Sequence, residues 1–160
     1  MTEIAATTPS LTPHIVCAGA ADAIEFYKQA FGAEEMFRMA GPDGKLMHGA
    51  VSIGGSMLML VDENKEWGML SPLSLGGTPV TLHLNVPNAD AAIERAAAAG
   101  ATITMPAADA FWGDRYGQVK DPFGHSWSMA HPLRDTAMTE NELRVAAKDA
   151  MCGEPQPAAA

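Results

Sequence analysis

The sequence predicts an α+β fold of two tandem βαβββ modules, forming a curved mixed sheet around a cup-shaped cavity. Three observations predict it: an internal repeat, the same order of elements in each copy, and hairpin signals between the later strands. The repeat pairs His14 with His83 and Ala23-Ile24-Glu25 with Ala92-Ile93-Glu94 at an offset of 69 residues. A period this long, present twice, marks a duplicated module and not a solenoid.

Each copy opens with a strand, Thr12 to Cys17 and Val80 to Val86. A helix follows, about Ala20 to Phe31 and Ala89 to Ala99. Ala23, Phe26, Tyr27 and Ala30 recur at helical spacing, and Gly32 and Gly100 serve as C-caps. In the first copy strands follow at Glu34–Ala40, Lys45–Ile53 and Ser56–Val61, separated by Asp43-Gly44 and Gly54-Gly55 turns. In the second they fall at Thr102–Met105, Arg115–Lys120 and His125–Ala130, the last two joined by an Asp121-Pro122-Phe123-Gly124 turn. The predicted organisation is a loose N-terminus (1–10), one domain (11–133) and a C-terminal helix with a flexible tail (134–160). Within the domain, module one is 11–63, a linker is 64–78, and module two is 79–133. Thr139 and Glu142 form a capping box that opens the last helix, which runs to about Met151. Helices cover the outer sheet faces, and period-two alternation decides which side chains line the cup.

Composition narrows the function classes. A chain of 160 residues, 48 % apolar and 18 % charged, forms one ordinary domain and not a disordered segment. Ten basic and nineteen acidic side chains give a net charge of −9, which opposes binding to duplex nucleic acid and to anionic lipid. No apolar stretch reaches the roughly 18 residues of a membrane span, and no signal peptide is predicted. Cys17 and Cys152 match no zinc-ligand spacing and form no disulfide framework, so they read as reduced thiols of a cytoplasmic protein.

Ala-Ile-Glu-Phe-Tyr-Lys-Gln-Ala-Phe-Gly (23–32), Gly-Pro-Asp-Gly-Lys (41–45) and Asp-Pro-Phe-Gly-His-Ser-Trp (121–127) resemble the vicinal oxygen chelate superfamily. That group holds glyoxalase I, extradiol dioxygenases and bleomycin-resistance proteins. His48-Gly49-Ala50 and the Phe111–Gly117 loop resemble its PhnB-like subgroup. The resemblance spans Leu11 to Pro132 and implies a glyoxalase-like fold, a small-molecule ligand and a homodimer.

It also implies a divalent metal held by one ligand near the start of each first strand and one on each last strand, as His and Glu. Counting from the shared motifs places Thr12 and Thr81 at the first-strand positions, and Met59 and Ser128 at the last-strand ones. Neutral hydroxyls and a thioether are poor ligands for such an ion. The expectation is a protein without the usual metal site, and therefore without a cofactor. The alternative is a metal-dependent lyase, isomerase or dioxygenase using a relocated site on His14 and His83, with His48 as a third nitrogen. Two core histidines bonded across the cup are the plainer account of the pair.

The Phe111–Gly117 loop is the other candidate. Trp112 and Tyr116 could stack on a planar ligand while Arg115 pairs with a carboxylate or phosphonate. An aromatic plug closing the open end of the module is the competing account. Trp67, Met69 and Leu70 are expected to close the cup from the linker side. His125 and His131 read as turn or solvent residues. The expected ligand-binding set is thus Thr12, His14, His48, Thr81, His83, Trp112, Arg115, Tyr116 and Ser128.

Overall fold

The computed structural model describes residues 11–152. The expected loose segment at 1–10 and the end of the tail lie outside the described residues. Module one consists of β1 (His14–Cys17), α1 (Ala20–Phe31), β2 (Glu34–Ala40), β3 (Leu46–Ile53) and β4 (Ser56–Asp62). A single helical turn, α2 (Pro72–Leu75), follows in the linker. Module two consists of β5 (Thr81–Asn85), α3 (Ala89–Ala99), β6 (Thr102–Asp109), β7 (Asp114–Lys120) and β8 (Ser126–Pro132), and α4 (Glu140–Cys152) comes last. The strands form two four-stranded mixed sheets, ordered β1-β4-β3-β2 and β5-β8-β7-β6. In each, the first strand pairs in parallel with the last, and the other pairs are antiparallel.

The two helices keep their predicted bounds because their ends are locally encoded. Gly32 and Gly100 stand at φ 66° and 119°, where a side chain is strained, and their N–H groups close the last turns of α1 and α3. The N-termini are capped differently. Asn88 accepts the Ala91 N–H at 2.9 Å at the start of α3. Gly19 has no side chain to offer α1, so Asp62 on β4 accepts the Gly19 and Ala20 N–H groups, both at 2.9 Å. His131 on β8 does the same for α3, accepting the Ala89 N–H on Nδ1 at 2.9 Å. Asp62 and His131 are themselves 69 residues apart, as are Met59 and Ser128, so the duplication extends to the last strands.

Alternation along the strands sorts the core from the site. Ile15, Cys17, Val51, Leu58 and Leu60 in sheet one, and Val119, Trp127 and Met129 in sheet two, are buried on the helix side. Each of the Ile, Val, Leu and Met side chains among them contributes about 1.5–3 kcal/mol by leaving water. The core is shared: α1 packs on α3, and Trp127 of module two lies 4.5 Å from Phe31 and 5.3 Å from Tyr27 of module one, centroid to centroid. The helices pack on one face of each sheet only. Among the described residues no helix covers the other face, and His14, His48, His83, Tyr116 and Ser128 sit there.

Four expectations are corrected. The first strand begins at His14, leaving Thr12 in the segment before it. β6 continues past Met105 to Asp109, through two register shifts that absorb Pro106 within an edge strand. The Phe111–Gly117 loop is half strand, since β7 opens at Asp114. The linker contains α2, with Ser71 as its N-cap and Pro72 at its first position. The capping box forms as expected: Thr139 N–H and Oγ1–H both donate to Glu142 at 2.7 Å, and Glu142 N–H donates back at 3.3 Å.

Candidate functional site

Cross-strand register decides which residues share a site, because a shift of one residue turns a side chain to the other face. In sheet two, β5 and β8 place His83 directly opposite Ser128, and β7 places Gln118 on Ser128's other side. His83 Nδ1 and Ser128 Oγ are hydrogen-bonded at 2.8 Å, with Ser128 only 2 % exposed. This bond orients the imidazole and leaves Nε2 as the nitrogen available to a ligand. The Tyr116 ring lies nearly parallel to His83, 6.2 Å away at 14°. Its hydroxyl accepts the Gln118 amide N–H at 2.8 Å. Trp112 meets Tyr116 edge-on at 5.4 Å. The outcome is a row of π surfaces, His83–Tyr116–Trp112, with polar edges held by Ser128 and Gln118.

Sheet one carries a second cluster. β1 and β4 place His14 opposite Met59. The His14 and His48 rings lie 5.5 Å apart at 72°, and Phe37 lies 5.2 Å from His48. Met39 is the cross-strand partner of His48. Partial burial, and then repulsion from His48, holds the His14 imidazole below its ordinary pKa.

This register corrects the positions obtained by counting. The residue opposite Met59 is His14, not Thr12, and the residue opposite Ser128 is His83, not Thr81. Counting back from the helix motif assumed a strand–helix spacing that the parallel pairing does not keep. Thr81 lies opposite Ser126, exposed at the near end of the same face. Together with His83 it lines a cavity of about 320 Å³ between β5 and the β3–β4 turn. Trp67 and Met69 line a different cavity of about 400 Å³ at the end of sheet one, beside Met47 and Val61.

Arg115 departs furthest from expectation. It lies opposite His131, on the helix side, where its guanidinium donates to Asp90 at 2.9 and 2.8 Å and to Asp109 at 2.9 Å. The guanidinium in turn holds the Asp90 carboxyl below its usual range. An arginine so placed faces away from the aromatic row, with its charge already matched by the Asp90 and Asp109 carboxylates. His125 is also not a solvent residue: its Nε2–H donates to the Val16 carbonyl at 3.1 Å, and burial lowers its pKa. The Cys17 thiol, 3.7 Å from the same nitrogen, is pushed up by burial and by Asp121, so it stays protonated and unreactive. Sequence reading missed Phe37 and Gln118. Period-two spacing from Tyr116 would have found Gln118 once Tyr116 was placed on the open face.

The donor set does not suit the divalent ion that the resemblance implies. Among the described residues no three His, Cys, Asp or Glu side chains converge. The paired positions hold His14 with Met59 and His83 with Ser128, which supply two imidazoles but no carboxylate. His83 already spends one nitrogen on Ser128, and His14 lies against His48 on the other sheet. These residues do not fit a hard or borderline divalent ion.

Comparison with known proteins places this geometry. A family model described as the Glyoxalase/Bleomycin resistance protein/Dioxygenase superfamily matches residues 10–129. An uncharacterized protein of Mycobacterium bovis is 50 % identical over 135 residues, covering 82 % of this chain and 89 % of that protein. The X-ray structure of an Arabidopsis thaliana gene product aligns with a TM-score of 0.60 at 29 % identity, covering 74 % of this chain and 93 % of that one. A PhnB protein of Bacillus cereus shares the fold with a TM-score of 0.59 at 17 % identity, over 76 % of this chain and 98 % of its own.

Proposed function

Because the chain belongs to the Glyoxalase/Bleomycin resistance protein/Dioxygenase superfamily, we propose that it binds a small organic molecule on the open face of sheet two, without the divalent metal used by the superfamily's metalloenzymes. One observation carries this reading: the row His83–Tyr116–Trp112, backed by the bonds from Ser128 and Gln118. A flat ligand group stacks on the Tyr116 face, with Trp112 standing edge-on beside it. A polar edge of the ligand meets His83 Nε2, whose ring is already aimed by Ser128. Thr81 extends the face toward the cavity beside β5. The chain would then sequester or carry its ligand. It would do so in the cytoplasm as a homodimer, which the half-exposed Met36, Phe37 and Met39 on sheet one favour.

Native mass spectrometry of the untagged, full-length protein tests the reading. We expect a co-purifying organic mass that is lost in Tyr116→Ala and in His83→Ala. Retention of that mass in both variants overturns the assignment to sheet two. Stoichiometric divalent metal that disappears in the His14→Ala/His83→Ala double variant instead favours the metal-dependent lyase, isomerase or dioxygenase.

A further inference from the structure

We propose that sheet one carries a site for a soft monovalent cation, Cu(I) or its redox-inert analogue Ag(I), formed by the imidazoles of His14 and His48 and the thioether of Met59. The three residues come from β1, β3 and β4. β4 lies between the other two strands, so Met59 stands between the strands that carry the two histidines. His14 is directly opposite Met59 in one register, and Ala50, two residues past His48, is opposite Met59 in the other. All three side chains therefore point to the open face, and the imidazoles lean together until their centroids are 5.5 Å apart. Met39 lies across from His48 and offers a second thioether.

The donor chemistry selects the ion. Imidazole nitrogen and thioether sulfur are suited to Cu(I), whereas Ca²⁺ and Mg²⁺ want oxygen and structural Zn²⁺ wants thiolate or more imidazole. Every donor here is neutral. A divalent ion would bring two charges with no carboxylate to offset them, and the cost of removing an ion from water rises with the square of its charge. Phe37 against His48 supplies an apolar wall on one side. The feature is specific to one half of the duplication. In sheet two the equivalents of Met59 and His48, 69 residues on, are Ser128 and Gly117, and no thioether stands opposite His83.

The test uses untagged, full-length Cys152→Ser protein, in which the remaining thiol, Cys17, is buried. Cu(I) is titrated without oxygen in competition with the chromophoric chelator bicinchoninate. We expect about one Cu(I) per chain, weakened roughly tenfold or more in each of His14→Gln, His48→Gln and Met59→Leu, since even outer-shell changes cost a metal site that much. Met105→Leu, on the other sheet, should leave binding unchanged. Ag(I) should shift the His14, His48 and Met59 side-chain resonances, and Zn(II) in excess should not reverse the shift. Copper held no tighter by the wild-type chain than by the His14→Gln/His48→Gln double variant overturns the proposal. So does displacement by Zn(II), or Ag(I) shifts confined to other residues. The silver titration needs no substitution within the site, so it decides the question even where a ligand variant impairs folding. Loss of the site would leave the sheet-two ligand reading untouched, because the two share no residue.

Discussion

The Tyr27 hydroxyl, on α1 of module one, donates to the carboxylate of Asp121 in module two at 2.9 Å. The same carboxylate accepts the Trp127 indole N–H and the backbone N–H groups of Phe123 and His125, each at 2.9 Å. Asp121 is 4 % exposed, so four donors offset the cost of holding that oxygen pair away from water. Tyr27→Phe removes one donor of four and should cost about 1.5–3 kcal/mol, the range for a bond to a charged group. Asp121→Ala strands all four donors and should cost more, on the order of 4 kcal/mol or above. Urea unfolding monitored by tryptophan fluorescence measures both. Equal effects would mean that Tyr27 is the only partner that matters.

Gly117 reports how closely α3 approaches sheet two. A Cβ there would collide with the Ile93 side chain and stand 2.9 Å from the Met105 carbonyl oxygen. The carbonyl belongs to backbone and cannot rotate away. Gly117→Ala should therefore destabilise the fold by roughly 1–3 kcal/mol or more, the usual cost of overpacking. Gly44→Ala is a different case: its Cβ meets nothing within 4 Å, but φ is 79°, so its cost comes from backbone strain alone. Paired thermal unfolding curves should show the Gly117 variant melting earlier.

Acid should release the linker before it unfolds the core. Glu63 accepts the Ser71 N–H at 2.7 Å and its hydroxyl at 2.8 Å. Hydrogen bonds from Ser74 and Ser71 hold its carboxyl at about 2, below an ordinary 4.5. A depressed carboxyl stabilises the fold above its unfolded value, and that contribution is lost as pH falls through the native one. Exchange of the α2 amides should thus rise between about pH 4.5 and about pH 2. In Glu63→Gln this step should vanish. A step that persists in the variant would assign it to another carboxyl.

His14 adds a second acid dependence nearer neutrality. Its native pKa lies below 6.5, so the unfolded chain binds the proton more readily. Stability should be at its full value above that pH and fall below it. His14→Gln should flatten this part of a urea-midpoint titration. An unchanged slope would leave His125, whose pKa is also lowered by burial, as its source.

Arg115 and Tyr116 are neighbours in sequence and face opposite ways, so they separate packing from binding. Arg115→Ala should leave ligand retention unchanged while loosening the contact with Asp90 at the start of α3. Tyr116→Ala should abolish retention with little effect on the fold. Reversed outcomes in native mass spectra and melting curves would move the site to the helix side.

Local signals explain what could be read before the structure. The periodicity of α1 and α3, the C-cap glycines, the hairpin turns and the Thr139–Glu142 box depend on residues within four positions of each other. The repeat then required two copies of one module, and with the motifs it carried the chain into its superfamily. Tertiary structure alone decided which residues meet. Parallel pairing of β1 with β4 and β5 with β8 brought His14 and His83, not Thr12 and Thr81, opposite the last-strand positions. It put Arg115 behind the sheet and Tyr116 in front of it, and it tied Tyr27 to Asp121 across 94 residues of chain. The physical reason is the period of two along a strand: alternation shows that a strand has two faces, but only packing against α1 and α3 selects the one left open.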